Sequence, residues 1–257
     1  MRTLIKKSLT SLIDAYARLR RFSFPPKYTW RWKWEALTNQ YEKETTDLFL
    51  ELLRPGMTVI DVGAHIGYFT RICAEKVGKD GHIYAFEADA ENYSLLRRNT
   101  AAYANVTLVP LAVSSHTGNI DFYHLPESTG CHSTLAPEGA SVKSTVPATT
   151  LDLFIGEKVR RPVDLIKMDI EGGEWEALKG MTRVLAQERL SLIIEWNPES
   201  LARGSIDPLE LLSQLAAYRF DLFAITPGAR IPLSASALKE AYAHLQPGGS
   251  VNIYCRK

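Results

Sequence analysis

Four carboxylates stand at or near the ends of apolar runs, where a buried strand would deliver them to an edge. Asp61 follows the apolar start of "VIDVGAHIGYFT" (59–70), and Gly63 and Gly67 come within six residues of it. Glu87 ends the next run, "HIYAFE", 26 positions further on. Asp169 closes "PVDLIKMD", with Lys167 before it and Glu171 after it, and Glu195 lies in "LSLIIEW" with Asn197 close behind. A charge in a buried strand is costly unless it is paired, so each of these groups calls for a partner. Two glycines after such a strand let the backbone approach a ligand closely. A carboxylate ending the second strand can accept both hydroxyls of a ribose. Turn and acid together point to a nucleoside-bearing ligand. A dinucleotide is not what the spacing indicates. G-x-G-x-x-G presents a helix N-terminus to a pyrophosphate, whereas here Ala64, His65 and Ile66 separate the glycines and Asp61 would repel a diphosphate. A cationic ligand suits Asp61, and S-adenosylmethionine carries an ammonium and a sulfonium but no phosphate.

The elements that must position these acids follow from periodicity. "MTVIDV", "HIYAFEA", "NVTLVPLAV", "PVDLIKMDI", "LSLIIEW", "FDLFAIT" and "SVNIYCR" read as strands, and amphipathic helical patterns lie between most of them. Residues 114–150, rich in Ser, Thr, Pro and Gly, read as an insertion after the third strand. Strands alternating with helices imply a mostly parallel sheet covered on both faces. The expectation is a doubly wound α/β domain over residues 41–257. The preceding 1–40 read as a helical extension in which Ile5, Leu9, Leu12, Tyr16 and Leu19 recur on one helical face, followed by Trp30, Trp32 and Trp34 alternating with Arg31 and Lys33. The 257 residues suffice for a sizeable core.

Charge is uneven. Residues 1–34 hold nine Lys and Arg against the single acid Asp14, a local +8, so the rest carries −7 within an overall +1. That balance does not indicate nucleic-acid binding. The basic head reads either as a lid packed on the body or as a foot on an anionic membrane. No apolar run approaches the roughly 18–20 residues that cross a bilayer, and the three dispersed cysteines suggest a reducing, cytoplasmic setting.

"VIDVGAHIGYFT", "YAFEAD", "LLRRNT", "TLDLFI" and "LIKMDIEGGEWEALKG", in that order, resemble the FkbM family of S-adenosylmethionine-dependent methyltransferases over roughly residues 40–197. The resemblance implies a Rossmann-like, seven-stranded class I sheet and methylation of hydroxyls, mostly on sugars of bacterial glycans and glycolipids or on polyketide-type metabolites. It implies that Asp61, Gly63 and Gly67, with Ala64, His65 and Tyr68 of the same turn, line the methionine end of the cofactor. Glu87, beside Ala88, would hold the ribose, Ala112-Val113 would lie by the adenine, Asn99 would brace the second helix, and Asp169 would face the sulfonium. Two features depart from the family. His65 stands where Asn is usual, and the basic head has no counterpart.

Methyl transfer to a hydroxyl is an in-line displacement that needs alignment and removal of a weakly acidic proton. Asp169, Glu171 and Glu195 are the candidate bases, and Lys167, Asp169 and Glu171 would share one face if their strand persists. The structural reading of these charges is an ion pair of Lys167 with Asp169 or Glu195. His132 in "GCHSTL" is a further candidate base or substrate contact. The alternative to a base is Mg²⁺ held by Asp169, Glu195 and Asn197. The acceptor class is a small-molecule or lipid-linked saccharide. The different-class readings are a nucleotide-dependent oxidoreductase and a non-catalytic scaffold on the same fold. The oligomeric state is left open.

Overall fold

The computed structural model describes residues 2–124, 133–135, 142–233 and 249–257, with side chains from residue 8 onward. His132 lies outside these, as do the side chains of Ile5, Lys6 and Lys7. Helices α1 (Arg2–Leu19), α2 (Trp30–Leu37) and α3 (Lys43–Leu52) lead into β1 (Thr58–Val62), α4 (Tyr68–Val77), β2 (His82–Phe86), α5 (Ala90–Thr100) and β3 (Val106–Val109). There follow β4 (Ala112–Val113), β5 (Gly118–His124), β6 (Val142–Thr149), α6 (Leu151–Lys158), β7 (Leu165–Met168), α7 (Glu174–Lys179) and α8 (Thr182–Leu185). The chain continues through β8 (Ser191–Trp196), α9 (Pro198–Arg203), α10 (Pro208–Ala217), β9 (Asp221–Thr226), β10 (Ala229–Pro232) and β11 (Val251–Arg256).

The main sheet runs β10-β9-β11-β8-β7-β1-β2-β3. Strands β3, β2, β1, β7 and β8 are mutually parallel, and β11 is antiparallel to both β8 and β9. The seven expected strands are present, and an eighth is added. β10 folds back on β9 as an antiparallel edge, a hairpin that the sequence reading did not separate from its surroundings.

Two local expectations are corrected, and the tryptophan segment within the expected helical extension is given its conformation. "NVTLVPLAV" is not one strand. Pro110 has no N–H for a ladder, so β3 stops before it and β4 joins the insertion's β5 and β6 in a second sheet, β4-β6-β5. The tryptophan segment is helical, with the Thr29 hydroxyl accepting from the Trp32 N–H at the α2 N-cap. The fourth strand ends at Met168 and does not carry Lys167, Asp169 and Glu171 on a common pleat. Glu171 sits beyond it in a turn at φ +56°.

Two apolar layers sandwich the main sheet, as alternation along the strands requires. Ile60, Val62, Ile166, Met168, Leu192 and Ile194 face one layer, with α6–α10 side chains such as Leu178 and Leu211. Val59, Leu165 and Ile193 face the other, with Phe49, Phe69 and Ile72. Ile13, Ala17 and Phe22 of the N-terminal extension are buried in that second layer. The extension is therefore part of the core.

Candidate active site

Register brings the key charges together before any side chain is considered. Asp61 on β1 is paired with Lys167 on β7, and Lys167 is paired with Ile193 on β8. Glu195 lies two residues beyond Ile193. Asp61, Lys167 and Glu195 thus share the sheet face on which the extension packs.

Lys167 is 5% exposed. Its ammonium donates to Asp169 Oδ2 at 3.1 Å and lies 5.1 Å from the centre of the Phe69 ring. Burial works against its charge, yet Asp169, Asp61 and Glu42 together hold its pKa above the ordinary lysine value. The structural ion pair and the polar cluster are one arrangement. Asp61 is deeper still. Its Oδ2 accepts from the Thr70 hydroxyl at 2.5 Å, while Oδ1 is buried with no hydrogen-bond partner. Burial raises the Asp61 pKa, opposed by Lys167 and by the Thr70 hydroxyl. That oxygen lacks a donor.

The turn after β1 is shaped by contact with β7. Gly63 has φ +78°, and a Cβ there would lie 1.9 Å from the Asp169 carbonyl oxygen. Gly67 has φ +91° and packs on Leu96 and Thr100. The N–H groups of Gly63 and Ala64 donate to the Phe86 carbonyl at 3.1 and 2.8 Å, tying the turn to the end of β2. Just beyond, Glu87 accepts from the His65 N–H at 2.7 Å and from the Asp89 N–H at 2.9 Å. Burial pushes its carboxyl up to about 7. Glu87 and Ala88 line a narrow cleft with Ala112, Val113, Phe122 and Ile170.

A cavity of about 490 Å³ adjoins this cleft. Asp61, Lys167, Asp169, Glu171 and Glu195 line one side, with Ala64 and Tyr68 of the turn. Lys27, Tyr28, Trp32, Tyr41 and Glu42 line the other. Gly63, His65, Asp169 and Glu171 border both cavity and cleft. Carboxylate oxygens of Asp169, Glu171 and Glu195 lie within 4.8 Å of one another. Burial, then Asp169 and Glu171, push the Glu195 carboxyl well above the usual range, and its Oε2 is buried without a hydrogen-bond partner. Glu171 reaches the cluster because its turn is braced. Its carbonyl accepts from the Ser133 hydroxyl at 2.7 Å, and the Glu174 carboxylate accepts from the Ile170 and Gly172 N–H groups at 2.9 and 2.8 Å. Asn197 does not join the acids. Its side-chain oxygen accepts from the Ser200 N–H at 3.0 Å and caps α9, so the oxygen set is Asp169, Glu171 and Glu195.

Tyr28, Trp32, Tyr41 and Glu42 were missed as site residues by the sequence reading. Their aromatic clustering was visible, but which way it faced was not. The Tyr28 hydroxyl is 3.0 Å from His65 Nε2. Trp32 packs edge-on against Tyr28, with ring centres 4.2 Å apart, and lies 4.9 Å from Tyr41. His65 and the N-terminal head therefore touch each other. His65 adopts φ +52°, a left-handed conformation that Asn tolerates more readily than most residues, and its ring anchors the extension. Asn99 completes the attachment. Its amide nitrogen donates to the Ser23 and Ile66 carbonyls at 2.9 and 2.7 Å, and its oxygen accepts from the Ser23 N–H at 2.6 Å.

The methyltransferase FkbM domain pattern matches residues 61–222. The chain belongs to the FkbM methyltransferase family. It is 30% identical over 154 residues to the hexuronic acid methyltransferase AglP of Haloferax volcanii, spanning 59% of this chain and 61% of that protein. To the methyltransferase sdnD of Sordaria araneosa it is 28% identical over 185 residues, spanning 59% of this chain and 70% of that one. A solved structure from Clostridium thermocellum, named as an rRNA-methylase, shares the fold. Its TM-score is 0.51 at 10% identity, over 84% of this chain and 94% of that one. The residues of this FkbM chain fit S-adenosylmethionine. The unpartnered Asp61 Oδ1 could accept from an ammonium, Glu87 at the end of β2 could accept from a ribose, and the turn at Gly63 has no room for a side chain.

Proposed function

We propose that this chain transfers a methyl group from S-adenosylmethionine to a hydroxyl of a saccharide. The carrying observation is that the narrow cleft beside Glu87 and a larger cavity meet across Gly63, His65, Asp169 and Glu171. A donor lying along the cleft, with its methionine end reaching the cavity wall at Asp61, would present its methyl group to an acceptor in the cavity. When bound, S-adenosylmethionine supplies an electrophilic methyl group. Asp61 would hold the ammonium, Glu87 the ribose, and Ala88, Ala112, Val113 and Phe122 the base. Glu195, whose basicity is raised by burial and by its acidic neighbours, would take the acceptor's hydroxyl proton on Oε2. Lys167 keeps the clustered negative charge compatible with burial.

A saccharide suits the far wall. A pyranose has apolar C–H faces and a polar rim, and this cavity offers the flat rings of Tyr28, Trp32 and Tyr41 opposite carboxylates that accept from hydroxyls. The name of the Haloferax relative, a hexuronic acid methyltransferase, supports this class. A polyketide-type acceptor is the alternative within the family. An oxidoreductase would need phosphate-binding glycines that the turn lacks. A second reading of the acids is favoured by the unpartnered Glu195 oxygen: Asp169, Glu171 and Glu195 could hold Mg²⁺, which would acidify a bound hydroxyl. The functional test is calorimetry with S-adenosylhomocysteine and NAD, followed by labelled methyl transfer to a panel of methyl glycosides and uronosides. The proposal expects micromolar S-adenosylhomocysteine affinity, no NAD binding and transfer to a sugar hydroxyl. Tighter binding of NAD would overturn it.

A further inference from the structure

The extension has a second face that the site does not use. Ile13 and Ala17 are 3% and 4% exposed against the body, but Leu9, Leu12 and Leu19 on the same helix are 37%, 68% and 79% exposed. Leu12 and Leu19 are seven residues apart and so nearly aligned along α1. Isolated surface leucines need no explanation, but a row of them edged by unpaired cations does.

The cations continue past the helix end. Leu19, Arg20, Arg21, Arg71 and Arg98 line an open groove of about 520 Å³. Arg71 is its fixed floor, donating to the Arg20 and Arg21 carbonyls at 2.9 and 3.0 Å and lying 5.0 Å from the centre of the Phe22 ring. Glu75, an acid in the groove, is engaged by the Tyr103 hydroxyl. Among the described residues, Arg18, Arg20, Arg21 and Arg98 have no carboxylate within salt-bridge distance, and all four are exposed. Charges of one sign beside protruding apolar groups match the headgroup and acyl layers of an anionic bilayer.

We infer that the outer face of α1 and the adjoining arginine groove dock this protein on an anionic phospholipid surface. Leu9, Leu12 and Leu19 enter the acyl boundary, while Arg18, Arg20, Arg21 and Arg98 meet lipid phosphates. Attachment is peripheral, since no described helix is long and apolar enough to cross a membrane. The inference is independent of the methyl-transfer reading, because the inner face of the same helix builds the core and the outer face is free to bind. It also replaces a choice between lid and foot with a division of labour between two faces.

The test is co-sedimentation of the full chain with vesicles of 3:1 phosphatidylcholine and phosphatidylglycerol, beside vesicles of phosphatidylcholine alone. The expected result is binding to the anionic vesicles in low salt, release in high salt as charges are screened, and little binding to the neutral ones. Arg20→Gln with Arg98→Gln should weaken partitioning about 30-fold, from about 1 kcal/mol per arginine near the surface. Leu12→Ser with Leu19→Ser should weaken it by a similar factor, with S-adenosylhomocysteine affinity and melting temperature unchanged for both pairs. Absence of wild-type binding, or equal binding to neutral vesicles, would overturn the inference without recourse to any variant. So would full retention of binding by both pairs. Loss of vesicle binding with intact cofactor affinity would separate this result from any failure of the catalytic proposal.

Discussion

Gly63→Ala isolates the contact on which the cofactor turn depends. Two costs add. The first is conformational: alanine at φ +78° enters the left-handed region, at about 1–2 kcal/mol. The second is steric. The new Cβ would sit 1.9 Å from the Asp169 carbonyl oxygen, well inside van der Waals contact, and the obstacle is backbone at the end of a central strand. Relieving such overpacking costs about 1–3 kcal/mol, for a total near 2–5 kcal/mol. At roughly 2–4 °C per kcal/mol for a chain of this size, the melting temperature should fall by at least about 4 °C. Gly67→Ala is the internal comparison. It has a similar positive φ, +91°, but its nearest obstacle is the movable Leu96 Cδ1 at 2.8 Å, so only the conformational cost of about 1–2 kcal/mol should remain. Urea unfolding and S-adenosylhomocysteine calorimetry on both variants read the difference. Displacement of the β1 turn from β7 should also abolish cofactor binding in Gly63→Ala, because Asp61 and Asp169 move apart. If Gly63→Ala costs no more than Gly67→Ala and binds cofactor normally, the close packing of turn against strand is not what shapes the site.

Glu87 supplies a pH test. Burial raises its folded pKa to about 7, so the carboxylate proposed to accept a ribose forms as pH rises through that value. S-adenosylhomocysteine affinity should climb by up to about tenfold between pH 6 and 8, and Glu87→Gln should flatten the profile. The stability sign is opposite. A carboxyl raised on folding favours the native state below its unfolded pKa and loses that contribution as pH rises through 7, so the apo protein should melt lower at pH 8 than at pH 6. Trp32→Ala should raise the KM for a glycoside acceptor severalfold and leave S-adenosylhomocysteine affinity unchanged; an unchanged KM would remove the aromatic wall from the acceptor site. Asp169→Asn and Glu195→Gln should each lower turnover by about two to four orders of magnitude in a folded protein, and near-normal rates in both would leave the acid cluster structural. Activity lost in EDTA and restored by Mg²⁺ would assign those acids to a metal, whereas full activity in EDTA would assign them to proton removal.

Much of the scaffold was legible because one physical signal repeats. A buried strand leaves an apolar run, and the acids that break those runs at residues 61, 87, 169 and 195 mark the sheet's carboxyl edge. Glycine spacing separated this turn from a pyrophosphate loop. What failed was local and has local causes. Pro110 divides one apolar run between two sheets, which hydropathy does not reveal. Lys167, Asp169 and Glu171 obey the strand alternation on paper, but Glu171 follows the strand's end and is carried into place by a left-handed turn. Asn197 looked like a ligand because it follows Glu195 by two, and its oxygen is consumed by the cap of α9. The aromatic wall was the least legible part. Tyr28 and Trp32 reach a cavity whose acidic wall comes from distant strands, and no local pattern encodes which neighbour a tryptophan will find.

The three hydrogen bonds of Asn99 also set a timetable. Ser23, which Asn99 holds, is 76 positions earlier in the chain, and a ribosome adding about 5–20 residues per second takes roughly 4–15 s to cover that interval. Throughout it the newly made head has no Asn99 to hold it and no complete sheet to cover Ile13, Ala17 and Phe22. The extension is thus made well before the residue that secures it. A nascent chain halted before residue 99 leaves Ile13, Ala17 and Phe22 without the sheet that buries them, beside the already exposed Leu9, Leu12 and Leu19.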